Sequence, residues 1–470
     1  MMKKCVAPLI ILLLCTLILS GCGSKSESDA VVLRVSNWEE YIDLGDWDEE
    51  EAIELEDGTV ILGCDSLIDE FEEWYYEEYG QRVEVEYSTF GTNEEMYNQI
   101  TIGDVYDLVC PSEYMIMKML REGMLIPYSE DFYDTEIDDN YYASCVSPYI
   151  KGVFDELDIE GNILSDYAAG YMWGTLGIVY NPEVISREDA AHWDIVTDRN
   201  YYKQVNVKDS VRDAYFGAIC QLYYDEITDP DFLAREDYHE ALSEILNRTD
   251  EQTVAGVEEV LSRAKDNAYA FETDAGKADM VAGKVFACEQ WSGDAVYSMD
   301  QADEDGLRLC YSAPDEGTNL WFDGWVMLKD GIEQDARKQQ AAEAFVNFLS
   351  RPENAIRNMY YIGYTSAISG GKSSLIFDYI NWNYGAAEDE EETFDYSIGY
   401  FFEDDSKEAN DKYTITAPLE QQDRQLTTQY PAKEVVDRSV VMACFEDEGN
   451  VRINRMWTNV RCFDLKSLFD

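Results

Sequence analysis

The sequence predicts an α/β protein of two lobes that share a hinge of two crossing segments, with a ligand cleft between them. Residues 31–123 read as a β-α-β-α-β series, and a second series begins after the apolar run 171–180. A further apolar run, 321–328, then precedes a helix carrying Ala341, Phe345, Phe348 and Leu349 on one face. Strands that alternate with helices form mainly parallel sheets covered on both faces, and ligands sit beyond the carboxyl ends of those strands. Two crossings imply two lobes.

The elements follow in order. Residues 31–35 are a β-branched run, and Leu67, Ile68, Phe71, Trp74 and Tyr75 mark one helical face that Gly80 closes. Val83, Val85 and Tyr87 have the two-residue period of a half-buried strand. Thr92 and Glu95 have capping-box spacing, residues 106–110 form a strand, and Ser112 caps a helix ending near Gly123. Trp38 and Ser112 therefore stand at strand ends. Residues 42–63 and 376–428 are acidic, turn-rich and weakly periodic, which predicts surface insertions.

Lys3 and Lys4 precede the apolar run 7–19, which closes in Leu19-Ser20-Gly21-Cys22. A basic flank, a short apolar stretch and small residues describe a secretory signal over 1–21. The cysteine directly after Leu-Ser-Gly resembles the lipobox of bacterial lipoproteins, which implies a lipid on Cys22 and anchoring at the outer face of the cell membrane or in the periplasm. Residues 22–30 are then a polar tether.

The chain has 97 acidic residues against 35 basic ones, a formal charge of −62. Such a surface repels nucleic acid and attracts cations. Runs such as 388–392 read as solvated loops. Once the signal is removed and Cys22 carries lipid, Cys64, Cys110, Cys145, Cys220, Cys288, Cys310, Cys444 and Cys462 remain, none with the pair spacing of a zinc site. Cys110 and Cys288 lie in strand-like runs and read as small buried hydrophobes. Disulfides among the others are open to an exported chain. Only His192 and His239 are present, and neither belongs to a metal-ligand or nucleophile motif.

Seven stretches carry a resemblance: Ser36-Asn37-Trp38-Glu39-Glu40-Tyr41, then 86–97, then Tyr106-Asp107-Leu108-Val109-Cys110-Pro111-Ser112-Glu113-Tyr114, then 174–181, Asp209-Ser210-Val211-Arg212-Asp213, Trp321-Phe322-Asp323 and Ile362-Gly363-Tyr364-Thr365. In this order the set resembles the spermidine/putrescine-binding proteins of ABC transporters, over residues 31–41, 64–128, 171–220, 283–370 and 430–470. The resemblance implies a type II periplasmic-binding-protein fold that closes by hinge motion. The lobes are then 31–172 with 323–375, and 173–322 with 429–470, leaving 376–428 as the acidic insertion. It further implies a monomer that captures a polyamine for an ABC permease, with no enzymatic activity, cofactor or metal.

The binding positions carried over by the resemblance are Trp38, Glu40, Tyr41, Ser112, Tyr114, Asp213, Trp291, Trp321, Asp323 and Tyr364. Their chemistry suits the ligand. An ammonium group offers only donors and a charge, and its partners are carboxylates and aromatic faces that also cover methylenes. Asp323 stands out because it lies between Trp321 and the apolar run 325–328, where an unpaired carboxylate is costly. Ser112 can cap its helix and touch ligand at once. Ser210 stands where spermidine binders often carry aspartate, and Glu39 where a hydroxyl residue is common. A contact near 445–447 is not aligned. A sugar-binding lipoprotein, an extracellular glycoside hydrolase with paired carboxylates, and an adhesin for polycations remain as other readings.

Overall fold

The computed structural model describes residues 30–462 apart from 274 and 334. The signal and Cys22 lie outside the described residues, and within them no helix is long and apolar enough to cross a membrane.

Eight strands run through the middle of one twelve-stranded sheet. They are β1 (Val31–Trp38), β2 (Val83–Phe90), β3 (Leu108–Val109), β4 (Ala168–Tyr180), β5 (Val205–Lys208), β6 (Ala270–Glu272), β7 (Ala287–Trp291) and β8 (Thr318–Leu328). Their spatial order is β6-β5-β7-β4-β8-β3-β1-β2. β1 is parallel to β2 and β3, and β5 is parallel to β6 and β7, so each end of the sheet is a parallel βαβ set. The two sets are joined by β4 and β8, antiparallel to each other and buried at every residue. A strand of 13 residues, as β4 is, spans about 40 Å, enough to reach through both lobes. β3 pairs with the last part of β8, whereas β7 pairs with the last part of β4. This is the two-lobed type II architecture.

One core holds Leu33, Phe71 and Trp325, and another holds Leu176, Phe216 and Leu261, with a third cluster around Met299 behind Val179. The chain leaves the first core between Trp173 and Leu176, returns between Tyr311 and Leu320, and leaves again between Val436 and Val440.

The helix starts follow local capping chemistry. Ser66 accepts the Asp69 N–H, Gly80 closes that helix at φ 65°, and Thr92 accepts the Glu95 N–H. The Glu95 carboxylate reaches the Gly91 N–H rather than that of Thr92, so the expected reciprocal box is displaced by one residue. The described cysteines are all unpaired, and Cys110 and Cys288 are buried in their strands.

Neither expected insertion is a mere surface excursion. Ile53, Leu55 and Ile61 enter the first core, and the Arg357 guanidinium donates to the buried Asp43 carboxylate at 2.6 Å. In 376–428 the run 388–392 is exposed, but Phe401 stacks on Trp173 with ring centroids 5.7 Å apart, and Tyr400 meets Tyr149 edge-on at 5.3 Å. The same segment reaches the other lobe, where the Asp423 carbonyl accepts the Tyr311 N–H at 2.8 Å and Arg424 pairs with Asp303. Acidic tips hid an apolar core that has no single period. Phe401→Ala should therefore destabilise the fold by about 3 to 5 kcal/mol in denaturant titration; a cost within about 0.5 kcal/mol is what a detachable surface loop would show.

Candidate functional site

The crossing strands set the centre of the site. Their register shifts between Asp323 and Gly324, where Tyr171 of β4 is the extra, unpaired residue of a bulge beside Asp323. The Asp323 carboxylate is buried and receives two hydroxyls, from Tyr41 to Oδ2 at 2.7 Å and from Ser112 to Oδ1 at 2.7 Å. Ser112 stands at the N-cap of the helix Glu113–Arg121, but its hydroxyl makes no cap bond. Its backbone is held instead by Asn93 Oδ1, which accepts the Ser112 N–H at 3.0 Å. The cap expected of the Ser112 side chain is not formed, and its hydroxyl serves Asp323 instead.

Burial pushes the Asp323 carboxyl up to about 6 despite those two hydrogen bonds. The titratable groups around it are Tyr41, Tyr171, Cys110 and Glu113. Among the described residues no cation pairs with Asp323. Glu113 is buried beside it and pushed up to about 8 by burial, partly offset by Arg212.

Aromatic rings form the walls. Tyr364 lies 5.7 Å from Tyr41 and 5.5 Å from Trp321, centroid to centroid. The Trp321 indole N–H donates to the Thr175 carbonyl at 3.2 Å, which fixes its ring across β4. Trp38 leans on Phe90 at 4.8 Å, and its indole nitrogen is buried without a partner.

From the other lobe, β5 and β7 deliver a second group. The Tyr364 hydroxyl donates to Asp294 Oδ1 at 3.1 Å and so links the two. Lys208 donates to Asp294 Oδ2 at 3.0 Å, Lys277 to Oδ1 at 3.2 Å, and the Lys208 ammonium lies 3.4 Å from the Trp291 ring centroid. Burial would raise Asp294, but the two ammonium groups outweigh it and hold the carboxyl below its usual range. Asp213 is raised by burial, with the Ser210 hydroxyl and the Trp291 indole opposing. Glu289 is pushed up to about 8 by burial, although it accepts the Lys208 N–H at 3.1 Å. The Arg212 guanidinium stacks 4.1 Å above Tyr114, and the Tyr114 hydroxyl donates to Glu94 at 3.0 Å.

The carried-over residues therefore fall into place unevenly. Tyr41, Ser112, Trp321, Asp323 and Tyr364 make one cluster, and Asp213 and Trp291 adjoin it through Asp294 and Lys208. Tyr114 is reached through Arg212. Glu40 stands apart, exposed on the turn after β1 with φ 53°. Glu113, Lys208, Lys277, Glu289 and Asp294 were not anticipated; the available signal was a lysine ending the buried strand Val205–Lys208 and an aspartate in the first helical turn after Trp291.

Two glycines make room at the cleft, and the second lets the lobes approach. A Cβ on Gly174 would fall 2.2 Å from Ser292 Oγ and 2.6 Å from the Trp321 ring, and one on Gly293 would fall 1.9 Å from the Tyr364 ring. Gly293→Ala should hold the lobes apart, and scattering should show a larger radius than for the wild type; an unchanged radius and affinity would contradict this closed geometry.

A two-lobed α/β body with a charged aromatic cleft at its crossing strands defines a solute-binding protein. The model for bacterial extracellular solute-binding proteins matches residues 66–374, and the chain belongs to that family. It is 27% identical over 289 residues to the spermidine/putrescine-binding periplasmic protein of Salmonella typhimurium, covering 60% of this chain and 70% of the relative. It is 25% identical over 357 residues to the putrescine-binding periplasmic protein SpuD of Pseudomonas aeruginosa, covering 73% and 80%. Among solved structures, the spermidine/putrescine ABC transporter substrate-binding protein PotD of Streptococcus pneumoniae superposes with a TM-score of 0.58 at 23% identity, over 92% of this chain and 99% of that one.

Proposed function

We propose that this protein captures a polyamine outside the cytoplasmic membrane and delivers it to an ABC permease. The observation that carries the reading is Asp323, a buried carboxylate beside aromatic rings that, among the described residues, is bonded to two hydroxyls and to no cation. Leaving such a charge uncompensated is costly, and an incoming ammonium supplies what is missing. The names of the relatives point to the same ligands. Trp38, Glu40, Tyr41, Ser112, Tyr114, Asp213, Trp291, Trp321 and Tyr364 are the proposed surroundings, with Glu40 requiring the turn after β1 to fold inward.

Calorimetry against putrescine, spermidine and spermine tests the reading. One saturable site is expected, and a response to sugars with none to polyamines would overturn it. A hundredfold excess of ligand over its dissociation constant should stabilise the fold by about 2.7 kcal/mol.

The protein acts as a lipid-anchored monomer in this reading, held through Cys22. Cys22→Ala should release it from the membrane or leave an uncleaved precursor. Unchanged processing and membrane retention would remove the anchor from the account.

A further inference from the structure

Lys208 is an anomaly in its strand. β5 is buried at all four residues, and the Lys208 side chain is only 1% exposed. A lysine so placed must have its ammonium matched, and two groups match it: Asp294 Oδ2 and the face of Trp291. Both belong to the cleft wall, because Tyr364 crosses from the other lobe to Asp294 Oδ1 and the Tyr364 ring sits against Gly293.

We propose that Lys208 is a resident cation of the cleft, filling the aromatic and carboxylate position that a further ligand ammonium would need, so that the site selects a diamine over a triamine. The inference rests on the polyamine reading above. Both oxygens of Asp294 are already engaged: Lys208 donates to Oδ2, and Lys277 and Tyr364 share Oδ1. The ring face of Trp291 is covered as well.

Lys208, Lys277 and Arg212 already face the buried carboxyl groups of this wall. The further ammonium of a triamine would meet the Lys208 ammonium at the Trp291 end. Like charges at that distance are a repulsive device of the kind that separates close ligands.

Calorimetry of the purified protein with putrescine and spermidine at physiological salt is the test. The wild type should bind putrescine about tenfold or more tightly than spermidine, the scale of one mismatched charge. Lys208→Met keeps the apolar stem, removes the charge and should shift that ratio toward spermidine by about tenfold. Lys208→Arg keeps the charge and should retain the wild-type order. Tighter binding of spermidine by the wild type overturns the proposal without any variant, and so does a ratio unchanged by Lys208→Met. If Lys208→Met does not fold, the wild-type order and Lys208→Arg decide. Failure of every polyamine to bind the wild type removes the functional reading itself, whereas binding of both with the wrong order removes only the role of Lys208.

Discussion

Asp323→Asn should give a protein that folds more stably than the wild type and has lost its ligand. The carboxyl is pushed up to about 6 by burial, so the folded state holds its proton more tightly than the unfolded chain does. The stability this group adds is present at low pH and lost as pH rises from about 4 through 6. At neutral pH the ionised wild-type group costs about 2 to 3 kcal/mol, which the neutral asparagine avoids. The amide also fits between two hydroxyls, because the Tyr41 and Ser112 oxygens can accept as well as donate. Binding moves the other way. Removing one partner of a buried charge pair costs about 2 to 5 kcal/mol, or roughly thirty- to several-thousand-fold in affinity, mostly in the off-rate. Denaturant titration together with stopped-flow binding reads both effects. A less stable variant that binds within about threefold of wild type would remove Asp323 from the site.

Polyamine affinity should fall as pH drops below about 6, by about tenfold per pH unit for one proton. The ligand amines stay charged throughout that range, as lysine-like groups with pKa values near 10 do, so the loss belongs to the protein. Asp323 must be ionised to meet an ammonium, and below about 6 burial keeps it protonated. Glu113 and Glu289, both pushed up to about 8 by burial, add a second signature. A cation arriving near them favours their ionised forms, so binding at neutral pH should release protons, visible as a dependence of calorimetric heat on the buffer. Asp323→Asn should flatten the acid limb. Affinity constant from pH 5 to 8 would show that no buried carboxylate meets the ligand.

Much of this fold was legible because local rules agree with one another. The β-α-β start, the helix end at Gly80, the cap at Thr92 and the apolar crossings at 171–180 and 321–328 each follow from short-range pattern. Residues 42–63 and 376–428 were misread for a physical reason. Their buried residues, such as Ile53, Ile61, Phe401 and Ile415, are separated by acidic turns, and what buries them lies far away in sequence.

The site divides along the same line. Asp323 could be singled out because an acid within an apolar run is expensive, whereas the bulge at Tyr171 beside it has no signal in the sequence. Lys208 and Asp294 are 86 positions apart, and nothing in either neighbourhood announces the other. Glu113 looks like an ordinary acid in a first helical turn, yet it is buried on the inner face of its helix. Glu40 shows the converse: it sits in a matching motif, but the left-handed turn at φ 53° leaves it exposed.

The measurement that bears most directly on the account is a calorimetric titration of spermidine and putrescine into wild type and Asp323→Asn at low and physiological salt. It should be run beside a variant in which the glutamates of 388–392 are glutamines and Asp389 is asparagine. A bound cation held by Asp323 predicts one saturable site in the wild type, a loss of roughly thirtyfold or more in Asp323→Asn, and near-wild-type affinity in the neutralised loop at physiological salt, where exposed charges beyond about 8 Å are screened. Binding that survives Asp323→Asn, but disappears with the acidic run or with added salt, would mean that bulk surface charge attracts the polyamine and that the cleft does not capture it.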